Sequence, residues 1–296
     1  MERELNSTAT SQARMIKKLC KACQQEFETP ELIEHLLGRT IDMTRSRCPS
    51  CHDAALADRA AKEREAEEAQ RREHIEKVTA RWHTECGIPF RFVSKTFENF
   101  DPKDNRTAYS VARSFALAYA YGDTHSLSSL YLYSVKPEIG IGKTHLAAAI
   151  GNQIISQWAG QGTTATPFFF TTEREFLLRL RASFSHHNDF EHRHETEDEI
   201  YDQLSKVPLL ILDELGNEET DRGGTSSAFV RKAYAQVIGG RYDAQLPTVI
   251  TSNFAPSDLT GYLGQTLQER IVEMTWKHVV RMRGKTRRIP AGKENA

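Results

Sequence analysis

No apolar stretch in this chain reaches the roughly 18 residues needed to cross a bilayer. The opening Met1-Glu2-Arg3-Glu4 also lacks the basic-then-apolar pattern of a secretory leader. Both absences point to a cytoplasmic protein that makes no use of a membrane. Net charge is lacking as well. The chain has 39 Lys and Arg against 40 Asp and Glu, so no overall field selects an acidic or basic partner. Locally the balance breaks down. Lys277, Arg281, Arg283, Lys285, Arg287, Arg288 and Lys293 follow one another with no acid between them. Such a cluster suits phosphate, of a nucleotide or of a nucleic acid, or forms a solvated tail. Apolar residues at 39% and charged ones at 27% exclude a wholly disordered chain. A length of 296 residues leaves room for one sizeable domain and a small one.

Cysteine is scarce too, with five residues in all. Four of them form the pairs Cys20-Lys-Ala-Cys23 and Cys48-Pro-Ser-Cys51, with 24 residues between the pairs. Each such turn can present two thiolates to one ion, and two turns complete a tetrahedral zinc shell. Residues 1–52 are too few to bury a core of their own, so a structural Zn²⁺ would supply the folding free energy. The other reading is an unmetallated or redox pair; a disulfide is disfavoured in a cytoplasmic chain. His35 and His52 lie near enough to replace a cysteine but read as surface histidines. The basic residues Arg14, Lys17, Lys18, Lys21, Arg39, Arg45 and Arg47 suit DNA or an acidic protein patch. Glycine and proline are absent from residues 53–81, which predicts a charged helix with a weak apolar stripe, a semi-rigid spacer running on to about residue 86. No sustained heptad supports a coiled coil. Cys86 reads as an indifferent thiol.

From residue 87 the composition becomes globular. Residues 129–150 read as a buried strand, a turn and a helix that opens on Gly142-Lys143-Thr144. This order serves a nucleoside triphosphate. Amides from Gly140 to Thr144 would cradle phosphate at a helix N-terminus, Lys143 would reach the β and γ phosphates, and Thr144 would ligate Mg²⁺. One glycine is missing: Pro137 occupies the first glycine position of the usual loop pattern, so the turn entering the loop must differ. A second apolar run, Val207 to Glu214, delivers Asp213 to the Mg²⁺ shell and Glu214 as general base toward a water. A third, Leu246 to Asn253, ends in an amide placed to orient that water. Helices are expected at about 107–121, 143–158, 173–184, 226–239 and 264–275, with strands at 166–171 and near 277–283. His186, His187, His192 and His194 fit no metal spacing and read as a surface loop. Arg179 and Arg181 are candidate DNA contacts or part of a solvated helix face. Alternating strands and helices predict an α/β three-layer sandwich with a mostly parallel sheet and the nucleotide at the carboxyl ends of its strands.

With these motifs in this order, the chain resembles the AAA+ ATPases, and among them the DnaC/DnaI-type replicative helicase loaders and the IstB-like transposition proteins. The resemblance rests on Thr96-Phe-Glu-Asn-Phe100, Gly140-Ile-Gly-Lys-Thr-His-Leu146, Leu209-Leu-Ile-Leu-Asp-Glu-Leu-Gly216, Arg241-Tyr242, Pro247-Thr-Val-Ile-Thr-Ser-Asn253, Glu269-Arg270 and Gly284-Lys-Thr-Arg-Arg288. It covers about residues 88–290. It implies Walker A contacts from Gly140, Ile141, Gly142, Lys143, Thr144 and His145, and a Walker B pair in Asp213 and Glu214. Asn253 becomes sensor 1, Arg288 a late sensor, and Arg270 an arginine finger acting on a neighbouring copy. Thr266 stands where many members carry a further arginine, leaving Arg270 as the finger candidate. The implied plan is a zinc-binding module (1–52), a helical linker (53–86) and an AAA+ ATPase domain without a helical lid (87–296). The implied function is loading a replicative helicase onto single-stranded DNA, using ATP and Mg²⁺ in a homo-oligomer assembled on nucleotide or DNA. A transposition helper ATPase and a nucleotide-gated DNA-binding adaptor are the alternatives.

Overall fold

The structure, a computed structural model, describes residues 14–36, 39–122, 127–158, 165–185, 195–217 and 226–287. The chain divides into two compact units, Met1–Glu73 and His74–Ala296.

In the first unit, β1 (Met15–Leu19) pairs antiparallel with β2 (Glu26–Pro30), and β3 (Ile33–Leu36) with β4 (Arg39–Asp42). Helix α1 (Pro49–Glu85) starts earlier than the composition predicts. Pro49 suits a first helical position, where no N–H is needed, and the early start puts Cys51 in the first turn. Among the described residues from 14 to 50, only Cys20, Thr29, Thr44 and Cys48 are buried. Met15, Leu19, Leu32, Ile33, Ile41 and Met43 are exposed. Among the described residues, these hairpins therefore show no apolar core. The exposed part of α1 carries the ion pairs Arg59–Glu63, Lys62–Asp58 and Arg72–Glu68 at i,i+4 spacing, which at a wet surface support the helix only weakly.

The last turns of α1 belong to the second unit, in which Ile75, Val78, Trp82 and Cys86 pack into a core. The spacer reading fails for these turns, because those four residues fall on one helical face. Five strands form a wholly parallel sheet: β5 (Leu130–Tyr133), β6 (Phe169–Thr172), β7 (Leu210–Leu215), β8 (Thr248–Ser252) and β9 (Val279–Arg281), in the order β6-β7-β8-β5-β9. Side chains alternate across it. Leu130, Leu132, Ile211 and Val249 face α2 (Arg106–Ala120) and α3 (Lys143–Trp158). Tyr131, Leu210, Leu212 and Ile250 face the other layer. That layer comprises α4 (Glu173–Ser185), α5 (Glu197–Lys206), α6 (Ala228–Asp243), α7 (Leu259–Leu263) and α8 (Gln265–Thr275). The result is the expected three-layer α/β sandwich.

The details depart from expectation in three places. α5 was not anticipated, although Thr196 and Glu199 form a capping box at its start that marks a helix entry. The helix expected at 264–275 is α8, but a short helix that was not expected, α7, precedes it and ends at Gly264, φ +89. The strand expected at 166–171 begins only at Phe169.

One buried cation joins α6 and α5 of this layer to the start of β8 in the sheet. Arg241 is fully buried and donates to Thr248 Oγ1 (2.8 Å) and to the carbonyls of Leu204 (2.9 Å), Val207 (2.8 Å) and Pro247 (2.6 Å). Burial lowers its pKa to about 9. Arg241→Met would leave three carbonyls without a donor, at about 1–3 kcal/mol for each group that stays dry. A loss of about 3 kcal/mol or more in the chemical denaturation of the second unit is the expected outcome.

Candidate functional site

The carboxyl ends of β5, β7 and β8 converge on one site. After Tyr133 the chain turns through residues 134–142 into α3. Glu138 N–H donates to Val135 O (2.9 Å), Ile139 N–H to Pro137 O (2.8 Å), and Ser134 Oγ to Glu138 O (2.6 Å). Pro137 thus sits where its neighbours supply the turn's amides, and its own missing N–H leaves no donor gap. Gly142 has φ +107, and a Cβ there would stand 2.8 Å from Phe100 Cε2. Phe100, from the Thr96–Phe100 segment, thus underlies the loop. Its ring meets His145 edge-on at 5.2 Å and the Arg287 guanidinium at 4.7 Å. A ring nitrogen of His145 lies 2.9 Å from Thr96 O. Burial holds this histidine's pKa below its ordinary value, which favours the neutral ring donating to that carbonyl.

Lys143 is 9% exposed. Its Nζ donates to Ser134 Oγ (2.6 Å) and to Asn253 Oδ1 (2.9 Å). Loop lysine and strand-end asparagine, 110 residues apart in sequence, are in direct contact. Asp213 is 1% exposed. Burial raises its pKa to about 6, while hydrogen bonds from Thr251 and then Thr144 pull it back down. Thr251 Oγ1 donates to Asp213 Oδ1 at 2.5 Å and accepts the N–H of Glu214 at 2.9 Å. The β7–β8 register shifts between Leu212 and Leu215, and Glu214 sits in this bulge at φ +61. Bulges commonly re-aim a side chain at the end of a strand. Thr144 and Asp213 together offer a hydroxyl and a carboxylate, oxygen donors that fit Mg²⁺ beside phosphate.

One residue implied by the resemblance stands apart from this cluster. Arg270, on α8, lies over the Tyr242 ring at 5.3 Å, and its described contacts are with α6. Arg288 lies outside the described residues, as do His186, His187, His192 and His194. The segment leading to Arg288 is anchored beside the loop. Met282 N–H donates to Tyr133 O (2.7 Å), Asn105 exchanges two hydrogen bonds with the Arg283 backbone, and Arg287 N–H donates to Gly140 O (2.8 Å). Arg179 is engaged by Glu195 at 2.9 Å through Nε. Sequence reading passed over Ser134, Thr251 and Glu173. Ser134 and Thr251 lie inside stretches read for other residues, Glu173 belongs to no motif, and their contacts exist only once three strand ends lie side by side.

In the first unit, the sulfurs of Cys20, Cys23, Cys48 and Cys51 all lie within 4.8 Å of one another. The first CxxC occupies the β1–β2 turn, closed by Gln24 N–H to Cys20 O and Cys20 N–H to Gln25 O, both at 2.9 Å. The second bridges into α1. The amide of Cys48 donates to Cys20 Sγ at 3.3 Å. Amides of Cys23 and Cys48 draw the Cys20 thiol down to about 6, whereas the neighbouring sulfurs of Cys48 and Cys23 push Cys51 up to about 12. Four adjacent thiols cannot all ionise unaided, and one divalent ion removes that conflict. The donor set fits structural zinc. His52 is not part of the cluster, and the side chain of His35 lies outside what the structure describes.

A parallel α/β sheet with a P-loop after β5 and an acidic pair at the end of β7 has the architecture of the AAA+ class. The chain belongs to the family of IstB-like ATP binding proteins, which it matches over residues 134–291, more than half its length. It is similar to the replicative helicase loader DnaI of Bacillus subtilis (strain 168), at 23% identity across 92% of this chain and 79% of that protein. Similarity to the replicative helicase loader DnaC of Escherichia coli (strain K12) is 25% across 60% of this chain and 62% of that one, under two thirds of its length. A crystal structure of the DnaC helicase loader shares the fold, with a TM-score of 0.50 at 21% identity, over 66% of this chain and all of that one. Among the described residues, no helix is long and apolar enough to cross a membrane.

Proposed function

We propose that this protein is a cytoplasmic, ATP-hydrolysing loader that places a replicative DNA helicase on single-stranded DNA. Lys143 and the amides of Gly140 to Thr144 take the triphosphate, with Ile141 and His145 shaping the loop. Thr144 and Asp213 hold Mg²⁺. When bound there, the ion would supply charge neutralisation for the phosphates. Glu214 draws a proton from the attacking water, and Asn253 orients that water while touching Lys143. Arg270 of one copy completes the site of the next, and Arg288 follows a segment tied to Gly140. Hydrolysis therefore belongs to a homo-oligomer gathered on nucleotide or DNA, and a lone copy turns over slowly. Residues 1–52, pinned by zinc on Cys20, Cys23, Cys48 and Cys51, form the helicase-facing module. Residues from 53 to about 73 link it to the ATPase unit, whose core takes in the last turns of α1.

The observation that carries this reading over a transposition helper is the reach of the likeness. Similarity to a protein named a replicative helicase loader extends over 92% of this chain, past the ATP-binding part at residues 134–291. The test mixes the full-length protein with the replicative helicase of its own host, ATP and circular single-stranded DNA. ATP-dependent transfer of helicase to the circle is the expected result. A protein that ignores the helicase but binds a transposase would establish the helper reading instead. ATP binding that acts without hydrolysis, unchanged in Glu214→Gln, would establish the gated adaptor.

A further inference from the structure

Glu173, the first residue of α4, is fully buried. A carboxylate tolerates burial only where donors replace the water it gives up. Here Oε2 accepts the N–H groups of Gly216 and Asn217, both at 2.6 Å, and Oε1 accepts the Tyr262 hydroxyl at 2.7 Å. Two of these donors belong to the residues directly behind the β7 bulge, and the third comes from α7. Glu173 therefore spends its buried charge on the backbone that follows Glu214.

That backbone needs holding. Glu214 at φ +61 occupies a region costly for any residue with a side chain, and such a conformation persists only when its surroundings enforce it. On the β8 side, Thr251 pins the Glu214 amide and Ser252 Oγ donates to Leu215 O at 2.7 Å. Beyond Leu215 the two amides go to Glu173. Gly216 has φ +90, and a Cβ on it would run into the Phe254 ring. Phe254 follows Asn253 and stacks on Tyr262 at 5.8 Å and 20°. Glu173, Gly216, Phe254 and Tyr262 thus close a ring that joins the ends of β6, β7 and β8. Asn217 carries the effect to the chemistry: its side-chain amide stands 3.4 Å from Glu214 Oε2.

We propose that Glu173 is a positioning residue that clamps the Gly216 and Asn217 amides and thereby fixes the aim of the Glu214 carboxylate. The catalytic half of this rests on the hydrolytic reading of Glu214 given above. The clamp differs from simple core glue in what it controls, which is the rate of a proton-abstracting step rather than ATP affinity.

The experiment compares full-length parent, Glu173→Ala, Glu173→Gln and Tyr262→Phe. It measures ATP affinity, DNA-stimulated turnover, and amide exchange in the peptide spanning Asp213 to Asn217. Glu173→Ala is expected to hold ATP within about threefold of the parent, lose about thirtyfold in kcat, and exchange faster in that peptide. Glu173→Gln is expected to stay within about threefold in kcat, since its amide oxygen accepts both N–H groups and its NH₂ donates to Tyr262. Tyr262→Phe, which keeps the stacked ring, is expected to lose about fivefold in kcat with ATP affinity unchanged, and decides the matter if Glu173→Ala does not fold. Parental turnover in Glu173→Ala overturns the proposal, as does a Gln variant as impaired as Ala, because that pattern would make charge and not geometry the requirement. Should the parent itself turn over no ATP, the hydrolytic reading falls. The exchange arm still shows whether the clamp exists: unchanged exchange in Glu173→Ala removes it.

Discussion

Cys20→Ser unfolds the N-terminal hairpins while the ATPase unit keeps its own thermal transition. Chelation of zinc from the unmutated protein does the same. The basis is the near absence of anything else to hold these residues. From 14 to 50, the buried described residues are two threonines and two cysteines of the four-sulfur cluster, and the large aliphatic side chains described there are exposed or half-exposed. Two short hairpins without an apolar layer do not fold by themselves. Structural zinc in small modules contributes on the order of 10–16 kcal/mol in apparent terms, far above what the Lys18–Asp42 pair at 3.0 Å can add at a wet surface. Limited proteolysis is the check. Cleavage before Glu73 should become rapid on chelation, with the fragment from His74 onward persisting. A module that resists protease equally well with and without chelator would exclude zinc as its organiser.

The second large effect separates binding from hydrolysis. Lys143→Ala is expected to lose ATP binding, because no other described cation contacts Ser134 and Asn253 at the mouth of the loop. Arg270→Ala is expected to bind ATP as the parent does, since its guanidinium lies on Tyr242 of α6 and not on the loop. Its stimulated turnover should fall by about 10³-fold or more, the range seen for arginines supplied across an interface. Glu214→Gln should share that phenotype for a different reason, keeping the bulge and losing the base. Equilibrium binding of a fluorescent ATP analogue and steady-state phosphate release distinguish the three variants. Full stimulated turnover in Arg270→Ala would remove the finger assignment.

What the sequence made legible follows from how each element is stabilised. β5, β7 and β8 are buried on both faces, so they read as unbroken apolar runs, and the functional residues follow at their carboxyl ends. The P-loop is local, so its glycines and Lys143 could be read before any fold was known. The hairpins β1–β2 and β3–β4 could not, because a module without an apolar core has no inside to impose alternation on Met15, Leu19 or Ile41. Two signals were present and weaker than their neighbours. Thr196 and Glu199 announce α5 from within a polar stretch, and Ile75, Val78, Trp82 and Cys86 mark one face of a helix that is otherwise all charge. Thr251 and Glu173 were out of reach. Their roles depend on strand order, which brings residues 38 and 43 positions distant into hydrogen-bonding range of β7 and its following turn.

The central claim is that one copy supplies Glu214 and the next supplies Arg270 to a single ATP. Mixing the Glu214→Gln and Arg270→Ala proteins, each nearly inactive alone, tests it directly. Random assembly pairs an intact base with an intact arginine at about a quarter of the interfaces, so DNA-stimulated turnover should rise well above the sum of the separate samples. Mixed oligomers that form and yet show no recovery would contradict the account.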